Sequence, residues 1–170
     1  MTAIQIKQAE ANDTATVSSI LQEAAAWLTD LGNPLWTARQ LNTDSIQGEV
    51  AAGLYWIAHA DNEAAGCVRY QLEDPIFWPD ALLGEAAYLH KFAVRRAYAG
   101  GGVSTALLDW AKAHAHDRGH DYLRLDCDIN REKLRALYEH HGFTATGERE
   151  VGTITVVLYE FELGSTQDSE

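Results

Sequence analysis

The spacing of apolar positions changes several times along the chain, and each change marks an element. Ile4-Gln5-Ile6-Lys7 alternates apolar and polar, the period of a half-buried strand. After Asn12 or Asp13, either of which can cap a helix, Val17, Ile20, Leu21, Ala24, Trp27, Leu28 and Leu31 recur at three- and four-residue spacing, and Gly32 supplies a stop. A shorter helix is expected from about Thr43-Asp44 to Gly53. Residues 54–60 and 64–72 read as strands joined by the turn Asp61-Asn62-Glu63. A proline-bounded loop follows, Asp74-Pro75-Ile76-Phe77-Trp78-Pro79-Asp80, and then a strand over about 86–94. Ala99-Gly100-Gly101-Gly102 turns the chain into a helix over about 102–118, ended by Gly119. A strand at 122–127, a helix at 130–141 closed by Gly142, and a closing pair of strands at 143–147 and 153–163 complete the pattern.

The order βααβββαβαββ predicts an α/β (α+β) fold: a mixed, mostly antiparallel central sheet with helices on both faces. The strand–helix–strand unit in its middle implies a central parallel pair, because a helix must carry the chain back to the same edge. A chain of 170 residues fits one domain over 1–163, with 164–170 a small polar tail expected to be disordered.

Composition narrows the classes. The chain is 46% hydrophobic and 22% charged, the balance of a globular protein with a sizeable core. No apolar run reaches the roughly 18–20 residues that span a bilayer, and MTAIQIKQAEAND lacks a signal-peptide layout, so a cytoplasmic location and no membrane partner are expected. Twenty-five acidic against 13 basic residues give a net charge of -12, a field that repels nucleic-acid phosphates and attracts cations. Cys67 and Cys127 sit in strand-like surroundings without metal spacing and read as buried free thiols. Of the seven histidines, His114 and His116 are two apart on a helix, His116 and His120 straddle Gly119, and His140 and His141 are adjacent. None makes a ligand set, so no metal is expected. Asp126-Cys127-Asp128 reads as a strand end.

The most informative stretch is Phe92-Ala93-Val94-Arg95-Arg96-Ala97-Tyr98-Ala99-Gly100-Gly101-Gly102-Val103-Ser104-Thr105. A strand enters a glycine-rich turn that feeds an amphipathic helix, with Val103, Ala106, Leu107, Trp110, Ala111 and His114 on one stripe. The first turn of a helix leaves N–H groups unpaired, and glycines let a pyrophosphate approach them. No Lys-Ser/Thr follows, which excludes a P-loop, and the third glycine of the dinucleotide fingerprint is missing. A purely structural turn stays open on this evidence. Arg95 and Arg96 suit anionic phosphates, or serve as solvated loop residues.

Leu89-His90-Lys91-Phe92-Ala93-Val94, the glycine turn and Leu107-Leu108 resemble the coenzyme-A motif of the GNAT superfamily of N-acetyltransferases. About 30 residues on, Asn130, then Tyr138-Glu139 and Gly142-Phe143 resemble its second motif, in the same order and spacing. The resemblance covers roughly 86–147 by motif and nearly the whole chain by element order. It departs from the family's Gln/Arg-x-x-Gly-x-Gly/Ala at Ala99 and Ser104, which puts a side-chain contact to the pyrophosphate in doubt and leaves the backbone contacts.

This resemblance implies the GNAT fold and acetyl-CoA as co-substrate, held by residues 92–96, Ala99, Gly100, Gly101, Gly102, Val103, Ser104, Thr105 and Asn130, with Phe92, Ala93 or Val94 lending a backbone N–H to the thioester carbonyl. Asn130 could equally serve as the N-cap of its helix. Acetyl transfer needs a neutral nucleophile. An alkyl amine with a pKa near 10.4 is almost wholly protonated at pH 7, and exposing its lone pair costs about 4.6 kcal/mol. Tyr88, His90, Phe92 and Val94 share one face of their strand by alternation. His90 can accept a proton near neutral pH; the arylalkylamine branch of the superfamily puts His90 on one base position and Tyr88 on the other. A hydrogen-bonded core histidine is the alternative. Tyr138 implies, by resemblance, the general acid at the departing sulfur. A phenol near 10 facing a thiol near 8.5 makes full transfer uphill by roughly 2 kcal/mol, so a strong hydrogen bond is expected instead.

Trp27, Trp36, Phe77 and Trp78 fall in segments that border the acceptor in that architecture, where they could receive a hydrophobic or aromatic amine by cation–π contact or simply pack the core. Trp56 and Trp110 read as core. The expected function is acetylation of a primary amine on a small molecule, with no nucleic-acid partner and with homodimerisation left open. A catalytically silent acyl-CoA sensor and a mononucleotide-binding enzyme are the competing readings.

Overall fold

The eleven elements expected from periodicity form in the expected order. The computed structural model describes residues 3–164, so the expected tail lies, from residue 165 onward, outside the described residues. The elements are β1 (Ile4–Gln8), α1 (Thr14–Asp30), α2 (Thr43–Ala51), β2 (Tyr55–Ala60), β3 (Glu63–Gln71), β4 (Ala86–Val94), α3 (Val103–Asp117), β5 (Tyr122–Asp128), α4 (Glu132–His140), β6 (Thr144–Val151) and β7 (Ile154–Glu162). The strands form one seven-stranded sheet in the order β1-β2-β3-β4-β5-β7-β6. Its parallel pair is β4 with β5, the pair joined through α3, as the strand–helix–strand unit requires. The chain divides into two compact units, one running to Arg69 and including Lys91–Leu107, the other formed by Tyr70–His90 and the chain from Leu108.

In the first unit, β2 lies antiparallel between β1 and β3. The β2–β3 hairpin turns through Asp61 and Asn62, both at positive φ (50° and 69°), the left-handed pair that matches strand twist. Val17, Ile20 and Leu21 of α1 are fully buried with Ile46 and Val50 of α2, Tyr55 and Ile57 of β2, and Cys67 of β3. Burying each large aliphatic side chain contributes about 1.5–3 kcal/mol. The α1 stripe fades towards its end, where Trp27 and Leu31 are exposed. Asn42 caps α2, its side chain accepting from the Asp44 N–H at 2.8 Å. Gly66 of β3 is the close-approach position: a Cβ there would sit 2.7 Å from the Ala93 carbonyl oxygen of β4.

In the second unit, β7 lies antiparallel between β5 and β6. The helix α4 starts at Glu132 with Arg131 as its N-cap, two residues later than the sequence pattern suggests. The Asn130 N–H instead donates to Asp128 Oδ1 at 2.9 Å, a local turn that competes with helix formation. Cys67 and Cys127 are buried free thiols, and burial pushes both up to about 12, so neither is a reactive thiolate.

Candidate active site

Two groups of expected site residues take shape, one in each unit. In the first, β4 leaves Val94 through a short 3-10 turn at Arg96–Tyr98 into the glycine turn and α3. Gly100 and Gly102 sit at φ 76° and 86°, conformations that exclude most L side chains. The first helical bond of α3 runs from the Ala106 N–H to the Gly102 carbonyl at 2.9 Å, so the Val103 and Ser104 N–H groups have no earlier carbonyl within the helix. Ala99, Gly100, Gly101, Gly102 and Thr105 are exposed, Ser104 is half-buried and Val103 is buried. This is a turn whose backbone can meet an anion.

The two arginines beside it differ. The Arg95 guanidinium donates to the Ala64 carbonyl (2.9 Å) and to Ser19 Oγ (3.1 Å) and pairs with Glu23 at 3.3 Å. These bonds fasten the strand end to α1. Arg96 is exposed; its N–H donates to Glu23 Oε2 at 3.0 Å, and its guanidinium lies 3.8 Å from the centre of the Trp27 ring. Ala93 is buried, while Phe92 and Val94 are half-buried.

In the second unit, the parallel ladder covers Ala86↔Tyr122, Ala87↔Leu123 and Tyr88↔Arg124. Two residues further along each strand, His90 and Asp126 meet through side chains, His90 Nδ1 lying 3.7 Å from Asp126 Oδ1. The other ring nitrogen, Nε2, lies 2.9 Å from Asp74 Oδ2, an ion-pair approach not aligned as a hydrogen bond. Asp74 is only 5% exposed, and its other oxygen accepts from the Phe77 N–H at 3.2 Å, so one carboxylate holds both the loop and the imidazole. Phe77 lies 6.4 Å from the His90 ring.

Asp74, His90 and Asp126 are thus a cluster that the sequence did not reveal. Asp74 lies in a loop 16 residues before His90, and Asp126 on a strand reached only after α3, so no local spacing could signal them. Each offers a donor atom within 4.8 Å of the others, close enough for a metal ion. The carboxylates face different ring nitrogens, an arrangement that can brace an imidazole and that a metal on one nitrogen would leave in place at the other.

Tyr138 of α4 is buried, packed edge-on against Phe143 at 6.0 Å and tilted against Tyr159 at 6.1 Å. Burial pushes its phenol well above the usual value, with further push from Cys127 and from the Asp126 carboxylate. The hydroxyl therefore stays a donor at any physiological pH. Asp126 acts on both proposed proton-handling groups, His90 by contact and Tyr138 through its charge. Asn130 is exposed.

Tyr88 is otherwise engaged. Its hydroxyl accepts from Arg124 Nη1 at 3.3 Å, and Arg124 also pairs with Glu85 (3.1 Å) and Glu160 (2.8 Å). Hydrogen bonds to Glu160, Tyr88 and Glu85 raise the Arg124 guanidinium further, against its burial. The aromatic residues expected at the acceptor carry cations from the protein itself: Trp27 carries Arg96, Trp36 carries the Lys91 ammonium at 5.0 Å, and Trp78 carries Arg124 at 4.6 Å. Of the four, only Phe77 carries no such cation among the described residues.

Comparison with known proteins bears on the family and the fold. The family model described as "Acetyltransferase (GNAT) family" matches residues 18–143. A Bacillus subtilis (strain 168) protein named "Uncharacterized N-acetyltransferase YesJ" is 30% identical over 142 residues, covering 79% of this chain and 78% of that protein. A GNAT-family acetyltransferase structure from Listeria monocytogenes 4b F2365 superposes with a TM-score of 0.79 at 23% identity, covering 94% of both chains. The structure of yncA from Salmonella typhimurium, solved with its cofactor acetyl-CoA, gives 0.74 at 16% identity over 99% of this chain and 98% of that one.

Proposed function

Given that the chain belongs to the GNAT family of acetyltransferases, we propose that it moves the acetyl group of acetyl-CoA to a primary amine of a small molecule by direct attack. The observation that carries this reading is the left-handed glycine turn at Gly100 and Gly102, opening on the first turn of α3. Such a turn offers N–H groups and the positive end of a helix to a pyrophosphate, without a Cβ in the way. Residues 99–105 take the phosphates mainly through the backbone, as the loss of a long side chain at Ala99 requires. Arg96, exposed beside them, supplies the positive charge, whereas Arg95 serves chiefly to anchor the strand end.

His90 receives the proton of the acceptor ammonium, directly or through water. Asp74 and Asp126 brace the ring, and their charges offset the one it gains. The amine nitrogen attacks the thioester carbon, the C–S bond breaks, and the nitrogen's second proton passes to solvent as the amide forms. Tyr138 donates a hydrogen bond to the departing thiolate, which takes up its proton from solvent. Its raised phenol makes full proton transfer less favourable than for a free tyrosine, so the bond stabilises thiolate more than it delivers a proton. Asn130 contacts the cofactor from the loop ahead of α4. The reaction needs no metal, and the protein works in the cytoplasm as one functional domain over 1–163.

Thermal unfolding with and without acetyl-CoA tests the cofactor reading, with CoA and ATP as controls. Ligand at about one hundred times its dissociation constant stabilises by about 2.7 kcal/mol. A shift with acetyl-CoA and CoA but not ATP is expected; no shift at millimolar acetyl-CoA overturns the proposal. Thiol release across a panel of amines then identifies the acceptor.

A further inference from the structure

Lys91 is the residue of β4 that alternation and propensity leave unexplained. Its backbone lies at φ 50°, the left-handed region, and it is the only non-glycine residue outside the β2–β3 turn to do so among the described residues. A side chain with a Cβ is strained in that conformation, which persists only where the surrounding structure holds it.

The side chain ends over the Trp36 ring, 5.0 Å from its centre. It is half-buried and has no carboxylate of its own among the described residues. The acid whose charge acts on it, Glu49, is already paired with Arg69 at 2.7 Å. The Nε of Arg69 is buried without a hydrogen-bond partner. Two cations therefore share one carboxylate, in a chain whose net charge is -12. Burial together with the charge of Arg69 lowers the Lys91 ammonium to about 8. A cation held over an indole, without an ion pair of its own among the described residues and within electrostatic reach of a guanidinium whose Nε–H is unpaired, describes a receptor for an anion.

We infer that Lys91, with Arg69 and the ring of Trp36, receives a carboxylate carried by the acceptor, which is therefore an amino acid or similar amino-carboxylate and not a simple alkyl or aryl amine. This rests on the acetyltransferase reading. In a chain of net charge -12, a carboxylate gains only where the local charge is positive. The ammonium supplies a charge-assisted hydrogen bond, and the indole face keeps it pointed.

The test uses the expected products, whose binding does not depend on turnover. A panel of N-acetyl amino acids is titrated calorimetrically into the whole protein in the presence of CoA, each beside the N-acetyl amine that lacks only the carboxyl group. At least one acid should bind about tenfold or more tighter than its neutral mate. Lys91→Met should abolish that preference and Lys91→Arg should keep most of it. Equal affinities across the panel, no binding of any acid at millimolar concentration, or a preference that survives Lys91→Met overturns the inference. So does a loss of CoA affinity in Lys91→Met with the acid preference intact, because the anion served would then be a cofactor phosphate. The midpoint shift with acetyl-CoA separates the two levels: its absence strikes the acetyltransferase reading, while its presence without an acid preference strikes only the amino-carboxylate.

Discussion

His90 and Lys91 are consecutive in sequence, yet their surroundings are of opposite sign. In the second unit, the His90 imidazole lies between two carboxylates, 2.9 and 3.7 Å from its two nitrogens. In the first, the Lys91 ammonium lies over an indole and feels the guanidinium of Arg69, with one carboxylate shared between the two cations. Burial and the neighbouring guanidinium lower the Lys91 ammonium to about 8. The difference teaches how a single strand can put two consecutive side chains in unlike fields: a left-handed residue interrupts its regular pleat, and partners remote in sequence define the charge around each side chain.

The sharpest way to break the contrast is at the acid–base group of the second unit. Tyr138→Phe should lower kcat by about 10³-fold while leaving acetyl-CoA affinity in calorimetry unchanged; unchanged turnover removes the phenol from the reaction. His90→Gln should lower kcat/KM by about 10²-fold at pH 7. That deficit should shrink towards pH 10, where the acceptor amine deprotonates unaided, and a deficit constant with pH would show that the ring acts by shape alone. In the first unit, Gly102→Val forces a branched side chain to φ 86° and should weaken acetyl-CoA binding about tenfold, at a strain of about 1–2 kcal/mol.

Lys91 gives a smaller effect with a definite sign. Its ammonium falls from 10.5 to about 8 on folding, so between those values the unfolded chain holds more protons than the folded one. Stability should therefore rise with pH across that window. The strain of burying the charge is fully present below pH 8 and relieved above it. Lys91→Met should raise the unfolding midpoint by about 2–4 °C at pH 7 and by less near pH 10; a gain independent of pH would trace to packing on Trp36. The smallest effect expected is none: dialysis against a chelator should leave turnover unchanged, and a loss restored by a divalent ion would recast Asp74, His90 and Asp126 as its ligands.

Much of the fold was legible because it is local. Every helix and strand announced itself by period, and their order implied the parallel β4–β5 pair. Gly100 and Gly102, read as permissive turn residues, are at positive φ. The α4 start was misjudged because the Asp128 carboxylate captures the Asn130 N–H, an interaction that competes with the helix and leaves no periodic trace. Trp27, Trp36 and Trp78 read either as core packing or as rings for an acceptor, and the arginine or lysine that lies over each is distant in sequence and left no local signal.

What the sequence determined alone is the set of elements, their order, the glycine turn ahead of α3 and the family, all properties of short-range pattern and spacing. Tertiary structure decided the charge around each functional group. It set Asp74 and Asp126 against His90, the Lys91 ammonium over Trp36 and the Arg124 guanidinium on the Tyr88 hydroxyl. Coulomb energy depends on distance in space and on burial, and neither can be read from the distance between residues along the chain.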